Sequence, residues 1–113
     1  MTVATIEVLR AIAEPSRHAI VELLREGARP VGEIATALDI RQPHASRHLR
    51  ILAEAGVVSA RSAAQSRIYR LEPAAFDSLE QWLGTFAEIW TDRADRLETY
   101  LEQVAEEDEE QGR

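Results

Sequence analysis

The sequence predicts a mainly α-helical domain that carries one small β-hairpin. Apolar residues recur at steps of three and four along most of the chain, which is the spacing of amphipathic helices. The period changes only in residues 57–61 and 67–71, two β-prone runs on either side of a short polar turn. A length of 113 residues suits a single domain with a modest core.

Composition excludes several classes of protein. No apolar run reaches the ~18 residues that a membrane-spanning helix needs. The N-terminal residues lack the basic and apolar regions of a secretory signal, so we expect a cytoplasmic protein. The chain contains no cysteine, which excludes disulfides and thiolate metal ligands. No nucleophile, base and orienting acid stand out together, so we expect neither an enzyme nor a cofactor.

Three helices are predicted in the first part of the chain. The first covers residues 5–13, where apolar side chains share one side. The second begins at Pro15, a residue favoured in a first helical turn, and ends at Gly27. The third covers residues 31–38 and is followed by a tight connection over residues 39–41.

Two further helices flank the hairpin. The fourth opens with Pro43 in its first turn and ends at Gly56. The last covers residues 73–106, and Gly84 is a point at which it can bend or break. With this helix included, we expect one domain over residues 1–106, followed by an acidic disordered tail over residues 107–113.

Two helices joined by a short turn and followed by a β-hairpin make a winged helix-turn-helix. In that arrangement the second helix of the pair enters the major groove of DNA and the hairpin lies along the backbone. Successive residues of a helix are about 100° apart around its axis. On this basis the core side of the fourth helix holds Ala45, Leu49, Leu52 and Ala53. The opposite side holds Pro43, His44, Arg47, Arg50 and Glu54, with Ser46 and His48 on the two flanks.

Charge is unevenly distributed along the chain. The formal net charge is −7, yet residues 41–70 carry six arginines against a single acid, Glu54. Residues 71–113 carry thirteen acids against three arginines. A local positive patch, rather than the net charge, steers a polyanion. The basic middle part of the sequence therefore favours nucleic acid as the partner.

Three interpretations fit the stretch RQPHASRHLR, residues 41–50. His44 and His48 are four residues apart, the spacing of a helical metal chelate, but a stable site needs three or four ligands and no others are evident nearby. The second interpretation is a solvated helix face with incidental arginines. The third is a DNA-reading surface, and the arginines of the hairpin that follows favour it.

Several motifs occur together at the spacing of one known family. They are Pro15-Ser16-Arg17 in the second helix, Ser46-Arg47-His48-Leu49-x-x-Leu52 in the fourth, Ala55-Gly56-Val57-Val58 after it and Tyr69-Arg70-Leu71 in the hairpin. In these motifs the chain resembles the ArsR/SmtB family of bacterial transcriptional repressors, and the resemblance covers about residues 6–104. The resemblance implies a homodimer that binds an imperfect inverted repeat in double-stranded DNA, usually over the promoter of its own operon.

The chain departs from that family at its metal-binding positions. Pro30-Val31-Gly32 stand where many members have a Cys-Val-Cys motif, and residues 73–113 contain no histidine to match the zinc ligands of the C-terminal helix. We therefore expect no metal site. The wing turn, residues 62–66, lacks the family's usual glycine. A residue with positive φ in that turn would cost on the order of 1 kcal/mol. Arg41 replaces the serine that commonly caps the recognition helix.

Nine residues are predicted to contact DNA. They are Arg41, Gln42, His44, Ser46, Arg47, His48 and Arg50 on the fourth helix and at its start, and Arg61 and Arg67 on the wing. Arginine and glutamine suit this role because their side chains donate paired hydrogen bonds to base edges. For His48 a hydrogen bond at the edge of the core is the alternative.

The last helix is expected to carry the dimer interface, together with the first helix. Its apolar residues recur at steps of three, four and seven, close to a heptad pattern. The predicted interface residues are Ile6, Leu9, Phe86, Trp90, Leu97 and Leu101. The alternative is that this helix folds back on its own domain.

The sequence thus predicts a homodimeric, sequence-specific DNA-binding repressor without metal input. The alternative is a protein-interaction or scaffold module of the same fold that has lost specific DNA binding, and the basic residues 41–70 argue against it. Two modes of control remain open. One is an apolar small molecule bound near Trp82, Trp90 and Tyr100, and the other is control by protein abundance without an effector.

Overall fold

A computed structural model describes residues 3–111, which form five helices and a three-stranded antiparallel sheet. The helices are α1 (Val3–Ala13), α2 (Pro15–Leu24), α3 (Val31–Leu38), α4 (Gln42–Glu54) and α5 (Pro73–Gln111). The strands are β1 (Arg29–Pro30), β2 (Val58–Ala63) and β3 (Ser66–Leu71), and they lie in the order β1-β3-β2. The mainly helical fold with a hairpin is confirmed. Within the described residues, no helix is long and apolar enough to cross a membrane.

Helices α3 and α4 form the helix-turn-helix pair. Helix α3 ends at Leu38, and the residue that caps it, Asp39, has a left-handed φ of 52°. Aspartate is one of the few residues besides glycine that adopts this conformation readily. The N–H of Ile40 then donates to the carbonyl of Ala35 at 3.0 Å, which closes the end of the helix. The chain therefore turns within residues 39–41, as the sequence predicts.

Strand β1 has no counterpart among the elements predicted from the sequence. It consists of Arg29 and Pro30, which pair with Tyr69 and Ile68 of β3. Two residues are too few to show the alternation that marks a strand. Pro30 lacks an N–H group, so it is tolerated at the edge of a sheet. The pairing attaches the hairpin to the segment that leads directly into α3.

The core lies where α1 to α4 meet the sheet and the start of α5. Its largest fully buried side chains are Ile20, Ile34, Leu49, Leu52 and Val57. Complete burial of a side chain of this size contributes about 1.5–3 kcal/mol. Two of the five lie on α4, so this helix is anchored by strong apolar contacts on one side.

Helix α5 is longer than predicted and unbroken. It runs through Gly84 and continues to Gln111. Residues 107–111 are therefore helical where the sequence predicts a disordered tail, because glutamate is a good helix former and no proline or glycine interrupts the run. Residues 112 and 113 lie outside the described residues.

The chain separates into two compact units. The first extends to Leu79 and the second begins at Glu80. The first unit contains the helix-turn-helix pair, the sheet and the core, and Ala75, Phe76 and Leu79 of α5 belong to it. The second unit consists of the remainder of α5. The single domain over residues 1–106 stays a prediction.

Candidate nucleic-acid interface

The N-terminal end of α4 is exposed and lacks a side-chain cap. Arg41 occupies the cap position, and its side chain makes no capping hydrogen bond. Its carbonyl accepts the first helical bonds from the N–H groups of His44 and Ala45, at 3.0 and 3.1 Å. Pro43 suits the first turn because its missing N–H would have no partner there. The Arg41 side chain is consequently free to point into solvent.

The two sides of α4 separate largely as its sequence predicts. Ala45, Leu49 and Leu52 are completely buried. The exposed side comprises Pro43, His44, Arg47, Arg50 and Glu54, with Ser46 and His48 half-buried on the flanks. The expectation for Ala53 was wrong, because it is exposed. Ala53 lies about 100° around the helix from Leu52. It therefore lies outside the core, at the edge of the groove between α4 and the hairpin.

A groove of about 750 Å³ separates α4 from the hairpin. Helix α4 lines it with Gln42, Ser46, Arg50 and Ala53, and the hairpin lines it with Ala60, Gln65, Ser66, Arg67 and Tyr69. Its wall is completed by the residues at the start of α3. Four of the nine predicted DNA contacts, Gln42, Ser46, Arg50 and Arg67, are thereby brought together. Gln65 could not be found from the sequence, because a single polar residue in a turn has many possible roles.

The two predicted wing contacts lie on opposite faces of the hairpin. Arg67 pairs across the strands with Ser62, whereas Arg61 pairs with Ile68. Successive residues of a strand point to opposite faces. Arg67 therefore shares the groove face with Tyr69, while Arg61 lines a separate depression with Arg70.

The arginines of residues 41–70 are almost all unpaired. Among residues 3–111, no hydrogen bond or ion pair engages the side chains of Arg41, Arg47, Arg50, Arg61 or Arg67, and all five are exposed. Arg70 differs, since its guanidinium lies 3.3 Å from the Glu72 carboxylate. Elsewhere in the described chain Arg17, Arg25, Arg29 and Arg96 contact acids. Free positive charge is thus concentrated on α4 and the hairpin.

His48 lies on the flank of α4, close to the start of α2. Its Nδ1 atom is 3.8 Å from Oε2 of Glu14, at the start of α2, and the His48 side chain is 22% exposed. Of the two roles that the sequence left open for His48, the position favours the one at the edge of the core. His44, four residues earlier, lies one turn away on a neighbouring part of the same helix face and is exposed.

The Glu14 carboxylate caps α2. Its Oε2 atom accepts a hydrogen bond from the N–H of Arg17 at 2.8 Å. This bond is the main reason that the pKa of Glu14 lies below its ordinary value, and the nearby His48 and Arg17 lower the pKa further, against a partial desolvation. Glu14 is therefore a stable anion between the start of α2 and α4.

A metal ion has no evident ligand set in the part of the chain that the structure describes. Across residues 3–111, no three histidine, aspartate or glutamate side chains are grouped closely enough to hold one. Pro30 and Gly32, which replace the sulfur ligands of many family members, offer no ligand atom in their side chains. The absence of metal binding in solution stays a prediction.

A second exposed surface runs along α5 from Glu80 onward. Large apolar side chains there are 40–61% exposed, and they are Leu83, Phe86, Ile89, Trp90, Leu97, Tyr100 and Leu101. At about 100° per residue they form one stripe. Leu83, Ile89 and Tyr100 were not among the predicted interface residues, although Leu83 and Ile89 are each three residues from Phe86. Within the stripe Trp82 packs edge-on against Phe86, and the guanidinium of Arg93 lies 5.4 Å from the ring centre of Trp90.

Helix α1 has its own partly exposed apolar side. The core contacts of this helix are Thr5, Val8 and Ala11, which are all buried. Ile6 is 37% exposed and Leu9 is half-buried, so these two predicted interface residues face outward at least in part. The Thr5 hydroxyl is satisfied, because it lies 2.8 Å from the hydroxyl of Ser78.

Known proteins with similar sequences are regulators of transcription. The family model described as "Bacterial regulatory protein, arsR family" matches residues 14–60. The chain is 39% identical over 82 residues to the HTH-type transcriptional regulator Rv2034 of Mycobacterium tuberculosis, a match that covers 73% of this chain and 74% of that protein. It is 49% identical over 65 residues to the HTH-type transcriptional repressor SmtB of the same species. That match covers 58% of this chain and 48% of SmtB, so the chain spans about half of that relative.

A similar fold occurs in a solved structure of a dimer. The homodimeric winged helix-turn-helix DNA-binding domain of Mb0332 from Mycobacterium bovis, described as a possible ArsR-family transcriptional regulator, superposes with a TM-score of 0.63 at 30% identity. The match covers 74% of this chain and 81% of that one.

Proposed function

The chain belongs to the ArsR family of bacterial regulatory proteins and is a DNA-binding transcriptional regulator, and from that premise we propose that it is a homodimeric repressor that binds an inverted-repeat operator without a metal signal. The observation that carries the proposal is the concentration of unpaired, exposed arginines on α4 and the hairpin. Its relatives are regulators of transcription and not enzymes.

The proposal gives the residues of α4 two kinds of contact. Gln42, His44 and Arg47, on the exposed N-terminal half, reach base edges in the major groove, where arginine and glutamine form paired hydrogen bonds. Arg50 and Arg67 face the groove between α4 and the hairpin and bind the phosphate backbone that enters it.

The remaining predicted contacts are weaker in this scheme. Ser46 lines the groove and can donate its hydroxyl to a phosphate, and Arg41 at the start of α4 meets the backbone next to it. Arg61, on the other face of the hairpin, adds to the positive field that attracts DNA. His48 makes no DNA contact in this scheme. Because the partner is chromosomal DNA, we place the protein in the cytoplasm.

The dimer is supported by the exposed apolar stripe of α5. Side chains such as Trp90 and Leu97, at 61% and 58% exposure, are unfavourable in water and are expected to pack against a second copy. The homodimeric relative Mb0332 supports the same assembly. Two-fold symmetry would place the two recognition helices in successive major grooves, roughly 34–36 Å apart. A repressing action is supported by the relative SmtB, which is named as a transcriptional repressor.

The proposed function is tested by binding to duplexes selected from a random pool. We expect Arg47→Ala to weaken binding to the selected duplex by about 1–3 kcal/mol and to relax base preference. Arg67→Ala should weaken binding to all duplexes alike and flatten the dependence of affinity on salt. Titrations followed by fluorescence anisotropy at several salt concentrations measure both effects.

The matched control for these variants is Arg25→Ala. Arg25 is an exposed arginine of the same protein, but it pairs with Glu22 at 2.9 Å and lies outside the proposed surface. Its loss should leave DNA binding unchanged. A wild-type protein that binds no duplex would instead indicate a protein-interaction module, and an Arg47→Ala variant with intact specific binding would show that the recognition face is assigned wrongly.

A further inference from the structure

We propose that His48 and Glu14 are positioning residues for DNA recognition, and that they hold α4 in its DNA-reading orientation through a chain of polar contacts that begins at the end of α1. The inference rests on the proposed function, because the orientation of α4 matters for specificity only if α4 reads DNA. It replaces the predicted DNA contact of His48 with a role behind the recognition surface.

The chain of contacts runs through three helices. The Nε atom of Arg17 donates to the carbonyl of Ala11, near the end of α1, at 2.7 Å. The N–H of Arg17 donates to Oε2 of Glu14 at 2.8 Å. The same carboxylate oxygen lies 3.8 Å from Nδ1 of His48 on α4. One anionic oxygen thus stands between the end of α1, the start of α2 and the flank of the recognition helix.

His48 is oriented toward this oxygen and not toward solvent. Its Nδ1 atom is buried and, among the described residues, has no hydrogen-bond partner. A buried polar atom without a partner is unfavourable. A carboxylate at 3.8 Å is only about 1 Å beyond a charge-assisted hydrogen bond. A slight movement of α4 therefore determines whether the Nδ1 atom forms a hydrogen bond with Glu14.

The buried side of α4 does not supply the same control. Ala45, Leu49 and Leu52 hold the helix against the core by apolar contacts, which have no preferred direction. A hydrogen bond tolerates only about half an ångström in length and weakens as its angle bends. A hydrogen bond between Nδ1 of His48 and Oε2 of Glu14, which forms once the two atoms approach by about 1 Å, would therefore restrict rotation of α4 about its own axis. Arg47 is the adjacent residue, so the same rotation moves its guanidinium relative to the bases.

The test compares two affinities for each variant, one for the selected duplex and one for a random duplex of equal length. We expect His48→Leu to lower the affinity for the selected duplex on the order of tenfold and to leave the random duplex nearly unchanged. His48→Gln should retain most of the specific affinity, because its amide can still donate to Glu14. Glu14→Gln should weaken specific binding less than His48→Leu, because its amide oxygen can still accept from His48, and the double variant should be no worse than His48→Leu alone.

The protein contains a matched control pair. His18 lies 4.0 Å from Glu22 on the exposed side of α2, at a separation close to that of His48 and Glu14. His18→Leu and Glu22→Gln should change neither affinity. Thermal unfolding followed by circular dichroism shows that each variant is folded at the temperature of the binding experiment.

Four results would overturn the inference. A His48→Leu variant with full specific affinity would show that α4 needs no such support, and equal losses on both duplexes would show a merely structural role. Additive losses in the double variant would show that the two residues act separately. A reduced salt dependence in His48→Leu would show that His48 contacts phosphate directly. If the wild-type protein does not prefer the selected duplex, the proposed function itself fails, and this role fails with it.

Discussion

At the scale of single residues, the wing turn holds a side chain in an unfavourable backbone conformation. Ala64 has a φ of 55°, in the left-handed region where glycine is favoured. The resemblance to a family with a glycine in this turn indicated that its absence would be costly if any residue there had positive φ. Ala64 is that residue.

We predict that Ala64→Gly stabilises the protein by about 1 kcal/mol, because glycine adopts a left-handed φ without a Cβ clash. Urea unfolding followed by circular dichroism measures the change. The control is Ala63→Gly, at the end of β2, where φ is not left-handed and glycine should destabilise. A loss of stability in both variants would show that the turn conformation is not the source of strain.

Glu14 makes stability depend on pH in a defined direction. Its pKa lies below the ordinary value of 4.5, mainly because it accepts a hydrogen bond from the N–H of Arg17. The unfolded chain therefore binds this proton more readily than the folded chain. The stabilising contribution is present above the unfolded pKa, and it is lost as the pH falls through the folded pKa.

We accordingly predict that Glu14→Gln lowers the free energy of unfolding near neutral pH and makes its decline in acid shallower. The two proteins should approach each other in stability once the pH is below the folded pKa of Glu14. Urea unfolding at a series of acidic pH values tests this. Glu22→Gln, which alters an exposed carboxylate without a capping role, serves as the comparison. Parallel curves for wild type and Glu14→Gln would contradict the prediction.

At the scale of elements, the periodic spacing of apolar residues predicted the helices well. It did not predict features that depend on contacts between distant parts of the chain. The bounds of α3 agree with the predicted residues 31–38, because its apolar spacing and the following turn are both local signals. Strand β1 was missed because two residues become a strand only through their pairing with β3. The exposed side of α4 followed from helical geometry, whereas the approach of Glu14 to His48 depends on tertiary packing that no local spacing encodes.

Helix α5 from Glu80 onward is the element from which the dimer can be tested. We predict that Leu97→Asp weakens the dimer, because it places a charge in the middle of the apolar stripe. Operator binding should weaken with it. Sedimentation at micromolar protein concentration measures the assembly, and Thr99→Asp, on the opposite side of the helix, is the control.

Two results would correct this assignment. A Leu97→Asp protein that remains dimeric would place the interface elsewhere, with the partly exposed Ile6 of α1 as the next candidate. A monomeric variant that binds the operator with undiminished affinity would remove the case for symmetric recognition.

At the scale of the whole molecule, the side chains present limit the signals that could control DNA binding. The chain has a net charge of −7 and no cysteine, and the described residues contain no grouped set of metal ligands. We predict that zinc, copper or trivalent arsenic leaves DNA affinity unchanged at stoichiometric concentrations. Anisotropy titrations with each metal measure this. Zinc that survives dialysis at one equivalent and releases DNA would falsify the prediction.

If metals leave DNA affinity unchanged as predicted, the two modes of control that the sequence suggests remain. A small apolar effector would have to prefer one geometry of the dimer to alter DNA affinity. Trp82, Trp90 and Tyr100 are aromatic side chains of the stripe on α5, together with Phe86. If they are buried between two copies of the chain, they have no free surface for a ligand, so we favour control by protein abundance.

The pairing of β1 with β3 divides the wing into a part of fixed length and a part whose length is free to vary. Tyr69 and Ile68 are bound on both sides, by β1 and by β2, whereas the residues nearer the turn have one neighbouring strand. Adding one residue to each strand beside Ala64 would extend the tip, but an insertion in one strand alone would reverse its inward and outward faces. During evolution the reach of the wing along DNA can therefore change in paired steps at its tip, while its attachment to α3 stays the same.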